Sequence, residues 1–165
     1  TLNATAERLF ESKLFKPAAL NNRCLVLSSG FYEWRHYKPA GALKEIAYPY
    51  FITIKEQSLF YMAGIFQPWT DKETGETMDT FSIVTTKANA FMEQIHNKKK
   101  RMPTILNATQ AVEWLAPNLS ENKIMELASS VYDASYMNAY TIDKSFRTAS
   151  NPIEAFDYPE LPGLI

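Results

Sequence analysis

The chain has 165 residues, 46% hydrophobic and 13% aromatic, enough for one globular domain with a substantial core and too few for two comfortable ones. Seventeen basic against eighteen acidic residues leave a net charge of −1, so no molecule-wide field marks a nucleic-acid protein, and any anionic partner must be held by a local patch. The single cysteine, Cys24, excludes an intrachain disulfide and a multi-cysteine metal site and fits a reducing compartment. No run of about 18 apolar residues predicts a membrane span.

The chain opens on TLNATAERLF without a methionine, as an N-terminally truncated piece would. In residues 5–14, Leu9, Phe10 and Leu14 stand at helical spacing between charges, predicting a short amphipathic helix stopped by Pro17. RCLVLSSGFYEW then holds two apolar runs, Cys24 to Leu27 and Phe31 to Trp34, around a Ser-Ser-Gly kink suited to a turn or bulge. Residues 35–49, with Pro39, Gly41 and Pro49, read as a loop. YFITIK and LFYMAGIFQ, separated by EQS, read as a hairpin, DKETGETMD as a second polar turn, and TFSIVTT as a further strand. KANAFMEQIHN predicts a helix with Ala88, Phe91, Met92 and Ile95 on one face, broken at KKKRMP by Pro103. After a short TIL strand, NATQAVEWLAP and SENKIMELASSV predict two helices, the second capped by Ser120. YMNAYTI is a last strand, and the proline-rich tail runs extended over the surface. The fold class is α+β with a mainly antiparallel sheet, in one domain over 1–165, without internal repeats.

Glu33 lies among Phe31, Tyr32 and Trp34, although leaving a buried polar group unpaired costs about 1–3 kcal/mol and a charge more. Two readings stand. Strand alternation puts Phe31 and Glu33 on one face and Tyr32 and Trp34 on the other, with Glu33 at a solvated edge. Alternatively, aromatic surroundings raise its pKa and make it a general acid. His96 closes a helix at IHN, where a histidine either meets the helix dipole or shuttles protons. His36 reads as a surface residue in a polar loop. The run Lys98, Lys99, Lys100, Arg101 is either a solvated loop or a local phosphate patch, in which Arg101 supplies a bidentate contact. Cys24, in the apolar CLVL, reads as a small core hydrophobe rather than a nucleophile. Thr1 is formally an N-terminal threonine, but its flanks carry no support for a nucleophile and truncation explains it better.

Taken in order, NATAE (3–7), RCLVLSSGFYEW (23–34), TFSIVTTKAN (80–89) and IHNKKKRMPTIL (95–106) resemble the SRAP family, SOS response-associated peptidase-like proteins that act on abasic sites in single-stranded DNA. The resemblance spans nearly the whole chain and implies a barrel-like, mainly antiparallel sheet with short flanking helices. Asn3 matches the asparagine of the family's N-A-R-x-E-T element, Glu33 the glutamate of G-[FWY]-[FY]-E-W and His96 the histidine of I-H-x-R-M-P, and these three would line the active site. The family's nucleophile is a cysteine at the mature N-terminus, whose amine and thiol close a thiazolidine crosslink on the ring-opened abasic sugar. That cysteine is not in this chain, which as it stands should be unable to crosslink.

The resemblance implies Glu33 as proton donor, His96 as proton relay, Asn3 as an orienting hydrogen-bonding group, Arg101 with Lys98, Lys99 and Lys100 on flanking phosphates, and Trp34 as a base-stacking face. No cofactor and no metal is implied, and the partner is single-stranded DNA with abasic sites. A cytoplasmic location (nucleoid-associated in a bacterium), a monomeric state and associated lyase or self-processing peptidase activity complete the expectation. Two departures are visible: Thr5 stands where the family has arginine, and NKKK replaces a single residue between His96 and Arg101. Two rivals remain open, a non-catalytic single-stranded DNA-binding module and a cysteine peptidase acting in trans.

Overall fold

A computed structural model describes residues 3–165, so Thr1 lies outside the described residues. In chain order the elements are β1 (Asn3–Thr5), a 3-10 turn (Ala6–Arg8), α1 (Lys16–Asn21), β2 (Arg23–Ser28), β3 (Phe31–Tyr37), β4 (Ile46–Ile54), β5 (Phe60–Thr70) and β6 (Thr77–Lys87). They continue with α2 (Ala90–Ile95), β7 (Arg101–Pro103), β8 (Ile105–Leu106), α3 (Ala108–Leu115), α4 (Glu121–Ala128) and β9 (Met137–Thr141). The class is α+β and the sheets are mainly antiparallel, with β1 running parallel to β6. The chain forms two compact units, each built from three stretches: the N-terminal stretch to Ser28 with 60–87 and 103–132, and 29–59 with 88–102 and 133–165. None of the helices among the described residues is long and apolar enough to cross a membrane.

In the first unit, β2 pairs antiparallel with β5 from Arg23↔Ile65 to Ser28↔Phe60, and β5 returns as β6 through the polar turn at 71–76. Asp71 Oδ1 accepts the N–H groups of Glu73 and Thr74 at 2.7 and 3.0 Å, and Gly75 supplies a φ of 75°, so this turn forms where its residue types predict it. Helices α3 and α4 also start where expected. Asn107 and Gln110 close a reciprocal capping box, and the Ser120 hydroxyl accepts from Lys123 N–H.

The core of this unit centres on Trp114, fully buried with Leu9, Ile65, Val84, Leu106, Ile124 and Leu127. Its Nε1–H donates to the Cys24 and Gly64 carbonyls at 3.0 and 3.2 Å, so the indole is buried without an orphaned donor. Arg23 donates to the carbonyls of Ala19, Leu20, Trp114 and Ala116 at 2.6–2.8 Å. One guanidinium thereby satisfies the open C-terminal carbonyls of both α1 and α3.

In the second unit, β4 is the middle strand of an antiparallel sheet in the order β3-β4-β9. Tyr32, Trp34, Phe51, Tyr140, Ile142 and Phe146 pack together, with the Tyr32 and Phe146 rings stacked at 4.7 Å.

Five sequence expectations are corrected. Residues 5–14 do not form an amphipathic helix: Asn3–Thr5 pair with Ile83–Thr85, and the helix that follows begins at Lys16. Pro17 sits in the first turn of α1 rather than ending a helix, because its missing N–H is one that a first turn leaves unused. The strands on either side of EQS are not a hairpin: β4 pairs with β3 and β9, β5 with β2, β6 and β8, and the connection passes between the two units. Pro49 and His36 lie in strands, not in a loop. Pro49 opposes Trp34 ahead of the first β4–β9 pair, Tyr50↔Thr141, where a missing N–H is tolerated. Finally, α2 ends at Ile95, well before Pro103, which lies in β7.

The glycine between β2 and β3 is required by close packing. A methyl group at Gly30 would stand 2.2 Å from Phe51 Cζ and 2.8 Å from the Ile52 carbonyl oxygen. Gly30→Ala is therefore expected to destabilise the protein by about 1–3 kcal/mol, read as a lower urea midpoint at unchanged slope.

Candidate active site

β3 is an edge strand, paired with β4 on one side. Its alternation sends Tyr32 and Trp34 into the aromatic cluster and Glu33 to the opposite face, which it shares with its cross-strand partner Tyr50. Tyr32 and Trp34 therefore do not wall Glu33 in, while Phe31, two residues before it, shares its face, so the aromatic-pocket reading is corrected for the two flanking rings. Glu33 is nevertheless withdrawn from water, with only 22% of its side chain exposed. Burial pushes its carboxyl above the ordinary value. His96, the Trp34 backbone N–H and the Lys99 charge each pull it back, but by less in sum.

The imidazole reaches this face from the end of α2. Asn89 caps the helix, its side chain accepting from Met92 N–H at 2.9 Å, while Met92 and Ile95 are buried. His96 N–H still donates to the Met92 carbonyl at 2.8 Å, and then the backbone turns. Lys100 takes a φ of 51°, its N–H donating to the His96 carbonyl at 2.8 Å and its carbonyl accepting from Ala88 N–H at 3.0 Å. This closed loop brings His96 Nδ1 to 2.8 Å from the Arg101 carbonyl. A carbonyl only accepts, so Nδ1 carries the proton and Nε2 holds the lone pair of the neutral ring. Glu33 Oε1 lies 3.6 Å from the same Nδ1, beyond a hydrogen bond and within electrostatic reach.

The other expected residues are distributed as follows. Lys98 and Lys100 are exposed and pair with Glu45 and with Glu93, the latter at 3.1 Å. Lys99 faces the dyad through its charge, and Arg101 is half-buried, contributing its carbonyl to His96. Trp34 is half-buried against Phe146, with the Arg147 guanidinium 5.9 Å from its ring. Asn3 is exposed at the head of β1 in the first unit. Cys24 lies half-buried in β2 rather than in the core, and burial pushes its thiol up, which disfavours a nucleophile. The sequence does not single out Asn97 or Arg147. Neither stands in a periodic pattern, and the partner of Asn97 is 61 residues away. Among the described residues, no group of three or more His, Cys, Asp or Glu side chains is gathered to hold a metal.

Residues 1–148 match the SOS response associated peptidase (SRAP) family. The chain belongs to this family. Among similar proteins, the "abasic site processing protein YoqW" of Bacillus subtilis is 33% identical over 150 residues, covering 91% of this chain and 63% of that protein. The "abasic site processing protein HMCES" of Xenopus tropicalis is 34% identical over 126 residues, 67% of this chain and 35% of that one. A solved structure from Bacteroides thetaiotaomicron superposes with a TM-score of 0.83 at 42% identity, covering 93% of this chain and 63% of that one. This SRAP chain thus spans somewhat less than two thirds of the length of the Bacillus relative.

The raised Glu33 carboxyl gives the SRAP chain a definite pH signature. The folded state binds this proton more tightly than the unfolded chain, so stability falls as pH rises from the ordinary value of 4.5 through the higher folded one. Glu33→Gln carries no such proton. Its unfolding free energy relative to wild type is expected to increase across that window and then level off, as measured by urea titrations at stepped pH.

Proposed function

We propose that the protein carrying this chain recognises abasic sites in single-stranded DNA and captures them covalently, with lyase and self-processing peptidase activity drawing on the same residues. The observation that carries this reading is the Glu33–His96 pair: a carboxyl held above its usual range, 3.6 Å from an imidazole whose tautomer is set by a backbone carbonyl. Membership of the SRAP family supports it, as do relatives named for abasic site processing.

In this proposal the amine of the protein's N-terminal cysteine adds to the ring-opened sugar aldehyde to give a carbinolamine. Loss of water requires a proton on the departing hydroxyl, which Glu33, its carboxyl raised by burial, supplies. The thiol sulfur then bonds to the imine carbon, its proton passes to nitrogen, and a thiazolidine closes. His96, with Nδ1 already donating to Arg101, has Nε2 for relaying protons and assisting opening of the deoxyribose ring. Asn3 orients the reacting groups. The pairs of Lys98 with Glu45 and Lys100 with Glu93 are exposed and worth only about 0–1 kcal/mol each, so both lysines can exchange their carboxylates for DNA phosphates. Lys99 and Arg101 add to that patch.

The test is incubation of the full-length protein, its N-terminal cysteine intact, with single-stranded DNA bearing one abasic site. A covalent band is expected on a denaturing gel, forming about a hundredfold more slowly in E33Q. Absence of the band overturns the proposal. Salt-sensitive DNA retention without a band would make the protein a binding module, and cleavage of unrelated peptides would make it a peptidase in trans.

A further inference from the structure

We propose that Asn97 is a positioning residue: its side-chain amide substitutes for a missing strand on the free edge of β3 and thereby holds His96 beside Glu33. Asn97 Oδ1 accepts from His36 N–H at 3.0 Å, and Asn97 Nδ2 donates to the His36 carbonyl at 2.8 Å. In a strand, the N–H and C=O of one residue point to the same side. Since both of His36's groups meet Asn97, they point away from β4, and every second residue of β3 shares that free edge. The next such residue toward the N-terminus is Trp34, whose N–H reaches the Glu33 carboxylate. His36 and Trp34 are thus neighbouring rungs of one edge, about 7 Å apart at the usual strand rise. His96, one residue before Asn97, is delivered into that interval.

The other contacts of His96 have different work. Its N–H to Met92 and its Nδ1–H to Arg101 fix the helix end and the ring, but neither partner belongs to β3. The amide needs both of its groups, one acceptor and one donor, to complete the rung. The clasp is exposed, so its hydrogen bonds contribute little to global stability, and what it sets is a distance. The charged groups acting on Glu33 at this site are His96 itself and Lys99.

The inference rests on the proposed function only for its effect on activity; an NMR comparison tests it independently. The chain has two histidines, and only the backbone of His36 is used, so in His36→Gln the remaining imidazole is that of His96. In that background the His96 ring signals are followed by NMR at fixed pH with and without Glu33→Gln. With Asn97 present, E33Q should shift those signals, since Glu33 Oε1 lies 3.6 Å from the ring. In Asn97→Ala that change should shrink to less than about a third, because the influence of the carboxyl on the ring weakens with separation and solvent screening. Asn97→Gln, which keeps donor and acceptor, should restore part of it. Asn97→Asp provides a second probe should N97A fold poorly, since its added charge acts equally with and without E33Q and cancels in the comparison. An undiminished E33Q effect in N97A or N97D overturns the proposal, as does the absence of any effect with Asn97 intact. In the full-length protein, N97A should slow crosslinking at saturating DNA about ten- to hundredfold with DNA affinity unchanged. If wild type forms no crosslink, the proposed function fails while the NMR comparison still decides the role of Asn97.

Discussion

A carboxylate withdrawn from water on an edge strand is the constraint around which the second unit is organised. Isolated, Glu33 would simply be an expensive charge. Here His96, the Trp34 N–H and Lys99 offset part of that cost and leave the carboxyl poised to hold a proton more readily than a surface glutamate. Their placement follows from the free side of β3. A strand buried on both edges would spend its N–H groups on neighbouring strands, whereas this edge leaves them for Glu33 and Asn97. The same arrangement manages an exposed edge, whose unpaired backbone groups are otherwise a template for wrong pairing.

The division of labour within β3 is physical as well. Tyr32 and Trp34 face the aromatic cluster with Phe51 and Phe146 and anchor the strand by apolar burial, while the opposite face carries the acid. Gly30 admits the Phe51 ring at the start of the strand, so its absence of a side chain is part of the same packing. In the first unit the equivalent anchoring falls to Trp114 and Arg23, which join sheet and helices through hydrogen bonds to carbonyls.

Local chemistry is legible wherever the stabilising partners are near in sequence. The Asn107–Gln110 capping box, the Ser120 cap and the Asp71 turn each close within three residues, and each forms as its residue types predict. Local pattern misleads where the partner is remote. The adjacency of β4 and β5 suggests a hairpin, but each strand finds better-matched partners elsewhere. Pro17 and Pro49 read as breakers because the positions that tolerate a missing N–H, a first helical turn and a strand residue just outside the β4–β9 register, are defined only by the assembled fold.

The candidate site divides along the same line. From the residues and their order alone come the SRAP resemblance, the nomination of Asn3, Glu33 and His96, and the single Cys24 as an unsuitable nucleophile. Sequence also determines the alternation of β3, since successive side chains on a pleated strand must point to opposite faces. Only the tertiary structure decides that Glu33 is desolvated, that Lys98 and Lys100 meet carboxylates, and that Asn97 bonds to His36. Desolvation, ion pairing and edge-strand hydrogen bonding all depend on groups brought together from distant parts of the chain, and no local pattern encodes which groups those will be.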